Sequence, residues 1–258
     1  MYLVSLERVS NPFKLMTFEY FLILAIIATL SVVQSLFGMG ILIFGTPTLL
    51  LLGYDFITTI GYLLPASFVI SLLQVLTAKS GQSPVSRYLY LLCLPGIGVG
   101  LLLADTDPLT SWVNGLIGVI LLLSALVRFW VPSRELTTAF LNRHFPTYHI
   151  AMGLTHGLTN LGGALLAVLA SGVSTDKEAI RSTVAHYYLA FSATQIIFLA
   201  SVMGRFDALV TSSPMAVTSA LVYLLIGRRI FSLTSNPFYN TALTTFIAAY
   251  GAVILMRL

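Results

Sequence analysis

Apolar residues in this chain neither alternate with polar ones at the period of a half-buried strand nor form the single stripe of a surface helix. They run in unbroken blocks separated by short segments that hold most of the charge. Six blocks approach the roughly 20 residues a helix needs to cross a bilayer: Ile57 to Ala78, Tyr88 to Ala104, Ser111 to Val131, Ser182 to Met203, Leu209 to Ile226 and Phe238 to Met256. Two others are broken by glycines. Phe18 to Leu52 is interrupted at Gly38 and Gly40, and Pro146 to Gly172 near Asn160, Gly162 and Gly163. The pattern predicts an all-α polytopic membrane protein with about eight crossings, each broken stretch making one crossing from two half-helices around an unwound centre. A soluble fold is excluded: 57% of the residues are hydrophobic and only 9% charged, against about 25% charged in soluble domains. The absence of long alternating strands argues against an outer-membrane barrel.

The blocks recur in the same order. Gln34, Gly38 and Gly40 stand 122 residues before His156, Asn160 and Gly162, while Asp55, Ser71 and Gln74 stand 121 residues before Asp176, Ser192 and Gln195. This predicts one membrane domain, residues 1–258, built from tandem repeats at 18–131 and 146–256, each opening on a glycine-broken helix. Chance matching in an apolar sequence is the competing explanation.

Loop charge sets orientation. With the N-terminus in the cytoplasm and eight crossings, nine Lys and Arg fall inside and four outside, which follows the positive-inside rule and places both termini in the cytoplasm. If each broken stretch instead crosses twice, there are ten crossings, the halves are inverted, and an N-out orientation gives the same split. The short Ile41 to Leu52 segment favours eight. The net charge of +4 is spread among the loops, so it anchors helices and forms no nucleic-acid surface. The one cysteine, Cys93, lies in an apolar run and can form neither an intrachain disulfide nor a thiolate metal cluster.

A helix broken within a bilayer leaves backbone amides that cost several kcal/mol unless a partner, cavity or ligand satisfies them. Breaks at matched positions of a repeat point to a transport site, and the helices starting near Ile41 and Ala164 would turn positive dipole ends toward an anion. Glycines that merely allow close helix packing are the structural alternative. The expected substrate-binding set is Gln34, Gly38, Gly40, Gln74, His156, Asn160, Gly162, Gly163, His186 and Gln195. The amides could donate to an anion or simply join helices. His156 and His186 could carry a coupling proton, because imidazole titrates near neutrality. Arg181, at the edge of its span, could draw anions in or pair with a headgroup or a loop. Asp55 and Asp176 read as helix-start residues.

The segment FGMGILIFGTPTLLLLG (37–53), answered by GLTHGLTNLGG (153–163) and AIRST (179–183), resembles the glycine-rich opening of the TauE/SafE family of sulfite exporters. The family's run of consecutive glycines is thinned here to Gly38 with Gly40 and to Gly162 with Gly163. The resemblance spans nearly the whole chain and implies a secondary carrier in a bacterial inner membrane, moving small anions such as sulfite, sulfoacetate or other organosulfur compounds, generally outward; no cofactor is expected. The residues alone leave open a divalent-cation permease and a transport-inactive scaffold. An intramembrane Ser192–His186 hydrolase lacks any nucleophile motif, and the chain lacks a P-loop, so an ion gradient rather than ATP would drive transport. The expected partners are a small anion, a coupling proton and the bilayer. Oligomeric state is not encoded in these patterns.

Overall fold

The computed structural model describes residues 12–78, 85–104, 119 and 134–256, and every regular element among them is helical. They are α1 (Pro12–Phe37), α2 (Ile41–Leu51), α3 (Phe56–Thr77), a π-turn (Leu89–Cys93) running into α4 (Leu94–Ala104), α5 (Arg134–Thr159), α6 (Gly162–Val173), α7 (Lys177–Ser201), α8 (Phe206–Thr211), α9 (Ser213–Val222), a second π-turn (Tyr223–Gly227), α10 (Arg228–Leu233) and α11 (Asn236–Leu255). Among the described residues, Phe18–Phe37, Phe56–Thr77, Lys177–Ser201 and Phe206–Leu233 are long and apolar enough to cross a membrane. Ile41–Leu51, Leu89–Ala104 and Gly162–Val173 are shorter apolar helices. This is a polytopic helical membrane protein. The span expected at Ser111 to Val131 lies outside the described residues.

Boundaries differ from the sequence expectation where side chains intervene. Helix α7 starts at Lys177, five residues ahead of the apolar block, because Asp176 accepts a hydrogen bond from the Ala179 amide. Asp55 does the same for α3 by accepting from the Thr58 amide. The second broken stretch begins at Arg134, well before Pro146, and bends at His144 (φ −116°, ψ 22°), where the proline ring crowds the turn ahead of it. The block expected from Leu209 to Ile226 runs as α8, α9, the second π-turn and α10 in succession.

The larger difference lies at the glycine breaks, where the chain reverses instead of continuing through an unwound centre. Tyr148 on α5 donates a hydrogen bond of 2.7 Å to the Leu165 carbonyl on α6, which requires α6 to lie back along α5. Likewise Gly45 on α2 faces Leu30 on α1, and Thr48 shares a groove with Ala25 and Thr29. Each break therefore makes a helical hairpin. Its second arm, 11 or 12 residues, is about 17 Å long.

Helices α3 and α7 pack antiparallel through the middle of the molecule. The Asp55 end of α3 meets Arg205 and Ala208, just beyond the end of α7. The opposite end, at Gln74, Thr77 and Ala78, meets Lys177 and Arg181 at the start of α7. Helices α4 and α5 run parallel with their backbones nearly touching, Gly96 against Leu154 and Gly100 against Gly157 and Leu158. Small residues permit that approach, which supplies the dispersion contact that holds helices together where lipid removes the hydrophobic drive.

Candidate functional site

The ten residues expected at the site resolve into two clusters, one at each break, and an outlier. At the first break Gly38 adopts φ +81°, a left-handed angle that a side chain strains to reach, and its Cα side faces the Arg181 carbonyl and the Val184 side chain. Gly40 then opens α2 against the backbone of Gln34. Gln34 is fully buried and ties the break together. Its Oε1 accepts from the Ile41 amide at 3.0 Å, and its Nε2 donates to the Ser67 carbonyl at 3.1 Å and the Ser71 hydroxyl at 3.2 Å. Gln74 crosses from α3 to donate to the Gln34 and Ser35 carbonyls at 2.9 and 3.2 Å. The Tyr239 hydroxyl donates to the Phe37 carbonyl at 3.2 Å. Side chains from α3 and α11 thus satisfy carbonyls of a helix C-terminus that hydrocarbon would leave bare, while Gln34 caps the start of α2.

At the second break Asn160 takes φ +61°, an angle asparagine tolerates better than most side chains. A directional chain of hydrogen bonds passes through it. His156 Nε2 meets Gln195 Oε1 at 3.2 Å, Gln195 Nε2 donates to Asn160 Oδ1 at 2.7 Å, and Asn160 Nδ2 donates to Thr46 Oγ1 at 3.0 Å. Because Gln195 offers an oxygen, His156 must hold its proton on Nε2. That leaves Nδ1 as a buried acceptor without a partner among the described residues. Gly162 lies against His156, and Gly163 against the buried Tyr188 hydroxyl, which would stand 1.9 Å from any Cβ placed there. The Asn160–Thr46 bond joins the second break to α2, the arm that follows the first. His186 stays apart: it is half-buried, and its Nδ1 donates to the Ser182 carbonyl one turn back at 2.8 Å.

Beside the first break lies a cavity of about 320 Å³ whose lining includes Gln74, Lys177, Arg181, Arg228, Tyr223 and Phe231. Three cations therefore share a compartment with the amide that caps α1. The Arg181 guanidinium carbon sits 3.3 Å above the centre of the Phe231 ring, and its Nη1 donates a long 3.4 Å hydrogen bond to the Ser35 carbonyl. A cation at this negative helix end is electrostatically favourable. Lys177 has a different task. Its Nζ donates to the Phe231 carbonyl at 2.9 Å and to the Thr234 carbonyl, closing the end of α10. Sequence reasoning noticed Arg181 but left it outside the binding set. The available signal was Asp176, whose cap starts α7 early and puts Arg181 on its second turn.

No curated protein and no solved structure matches the chain. The family model described as sulfite exporter TauE/SafE matches residues 22–254, a stretch that holds both breaks, both polar clusters and the cationic cavity, and the chain belongs to that family of membrane transporters.

Proposed function

We propose that the protein exports small oxyanions, sulfite or organosulfonates such as sulfoacetate, across a bacterial-type plasma membrane, with proton movement through His156 as the coupled step. The observation that carries this reading is the basic cavity, which brings Lys177, Arg181 and Arg228, against one carboxylate, Glu178, next to Gln74 and the first helix break. Three cations against one carboxylate around one small volume leave it net positive, which favours an anion and disfavours the divalent-cation alternative. Gln34 and His156 occupy equivalent positions of the proposed repeat, the first an amide bonded across its break to the Ile41 amide and the second an ionisable ring bonded to Gln195 on α7. The antiparallel packing of α3 and α7 supports inverted repeats, the arrangement in which ten crossings place the N-terminus outside. Arg87, Arg134, Arg143, Lys177, Arg181, Arg228 and Arg229 then belong to the cytoplasmic end, with Lys14 and Arg205 at the other. The cavity accordingly opens toward the cytoplasm, as an exporter requires.

The test is uptake of labelled sulfite into proteoliposomes under an imposed pH gradient, with sulfoacetate, sulfate and a divalent metal compared. Saturable flux of sulfite or sulfonate that follows the gradient is expected. Metal flux alone would replace the reading with a cation permease, and folded protein that moves none of these solutes would leave the scaffold.

A further inference from the structure

The three cations of the cavity are not equivalent. Lys177 is committed to carbonyls at the end of α10, and Arg228 is exposed. Arg181 is half-buried, yet among the described residues its five N–H donors make one hydrogen bond, the long contact to Ser35. Its plane is fixed by stacking on Phe231, itself buried and packed edge-on against Tyr239. A guanidinium held flat on an aromatic plate, with most donors unspent and a cavity alongside, is a preformed fork for the paired oxygens of an oxyanion. The position 121 residues earlier is Ile60, apolar and fully buried, so the matching position of the other half carries no such cation.

Resting on the anion-carrier reading, we propose that Arg181 is the substrate-binding residue of the cavity, engaging two oxygens of a sulfonate- or sulfite-like anion, and that the site exists only at the end of the molecule bearing Lys177. The unspent donors leave the Ser35 contact in place, so the anion is held beside the C-terminus of α1 and next to the first break.

The experiment is calorimetric titration of the full chain in detergent with sodium ethanesulfonate and with sodium sulfite, for the wild type, Arg181→Lys, Arg181→Gln and Arg229→Gln, with thermal unfolding of each variant to establish that it is folded. Loss of charge-assisted hydrogen bonds predicts binding about 10- to 100-fold weaker in Arg181→Gln and roughly tenfold weaker in Arg181→Lys, which keeps the charge but loses the fork. Arg229→Gln, outside the cavity lining, should bind as the wild type does. Wild-type affinity in both Arg181 variants alongside intact flux would overturn the assignment and leave the carrier reading standing. A wild type that neither binds nor moves any anion would remove both. A lipid phosphate offers the same paired oxygens, so the titration is repeated in nanodiscs with and without phosphatidylglycerol. Arg181-dependent stabilisation by that lipid, with no response to free ethanesulfonate, would make this a headgroup site and overturn the proposal.

Discussion

His156 has one ring nitrogen, Nδ1, that can take a proton while the Gln195 bond is kept, and full burial makes that charge costly until an anion stands close by. Its Nε2 proton is committed to Gln195, and the relay onward through Asn160 to Thr46 fixes the ring, while Nδ1 faces no partner among the described residues. Protonation at Nδ1 would therefore leave the relay intact and place a positive charge at the second break, next to Gly162. Gln34, 122 residues earlier, shows that an amide fits beside a glycine break without titrating. His156→Gln is accordingly expected to fold and to retain anion flux down a concentration gradient, while losing the dependence of that flux on an imposed pH gradient. Matched flux assays with and without the gradient measure this directly. Equal pH sensitivity in wild type and variant would place the coupling group elsewhere, and His186, bonded within its own helix, would be the next residue to substitute.

At the scale of elements, the two long helices α3 and α7 start in the same way, each on an aspartate that accepts the amide three residues on. Removing either cap by substitution to Ala should destabilise the fold by about 1 kcal/mol, read as lowered thermal stability in detergent. Asp55 adds a pH signature. Partial burial works against its charge, but hydrogen bonds from the Thr58 side chain and from the backbone outweigh this and hold its pKa below the usual carboxylate value. A group whose pKa is lower in the folded state stabilises fully above its unfolded value and loses that contribution as pH falls through the folded value. The stability difference between wild type and Asp55→Asn should therefore persist at neutral pH and narrow below about pH 4. Such caps were legible in the sequence because they are local, one side chain answering an amide three residues away. The glycine breaks were legible for the same reason, and with them the residues that gather around each. The reversal was not: Gly38 frees a backbone angle without dictating where the chain goes next, and the direction comes from contacts such as Tyr148 with Leu165. Arg181 was also hard to rank, because Phe231 and Ser35, the groups that orient it, lie far along the chain on other helices.

The whole molecule is polarised by where its basic residues lie relative to the antiparallel pair α3 and α7. Lys177, Arg181 and Arg228 line the cavity at the Ala78 end, and Arg205 lines a smaller one with Thr58 and Ser212 at the Asp55 end. Since basic segments are retained in the cytoplasm, the larger cavity should face inward and the Asp55 end outward. This reverses the orientation that a single crossing per broken stretch would give to the N-terminus, so the two topologies are separable by labelling. Ser232 borders the cavity and is exposed, and Asp207 is exposed at the far end. The native thiol of Cys93 is buried and should stay silent. In intact cells a membrane-impermeant maleimide is expected to label Asp207→Cys and to spare Ser232→Cys, with the pattern inverted in inside-out vesicles. Ethanesulfonate should slow the labelling of Ser232→Cys in those vesicles if the anion occupies the cavity as proposed. Labelling of Ser232→Cys in intact cells would place the cationic cavity outside, and a site that binds anions from that face would load them for import instead of export.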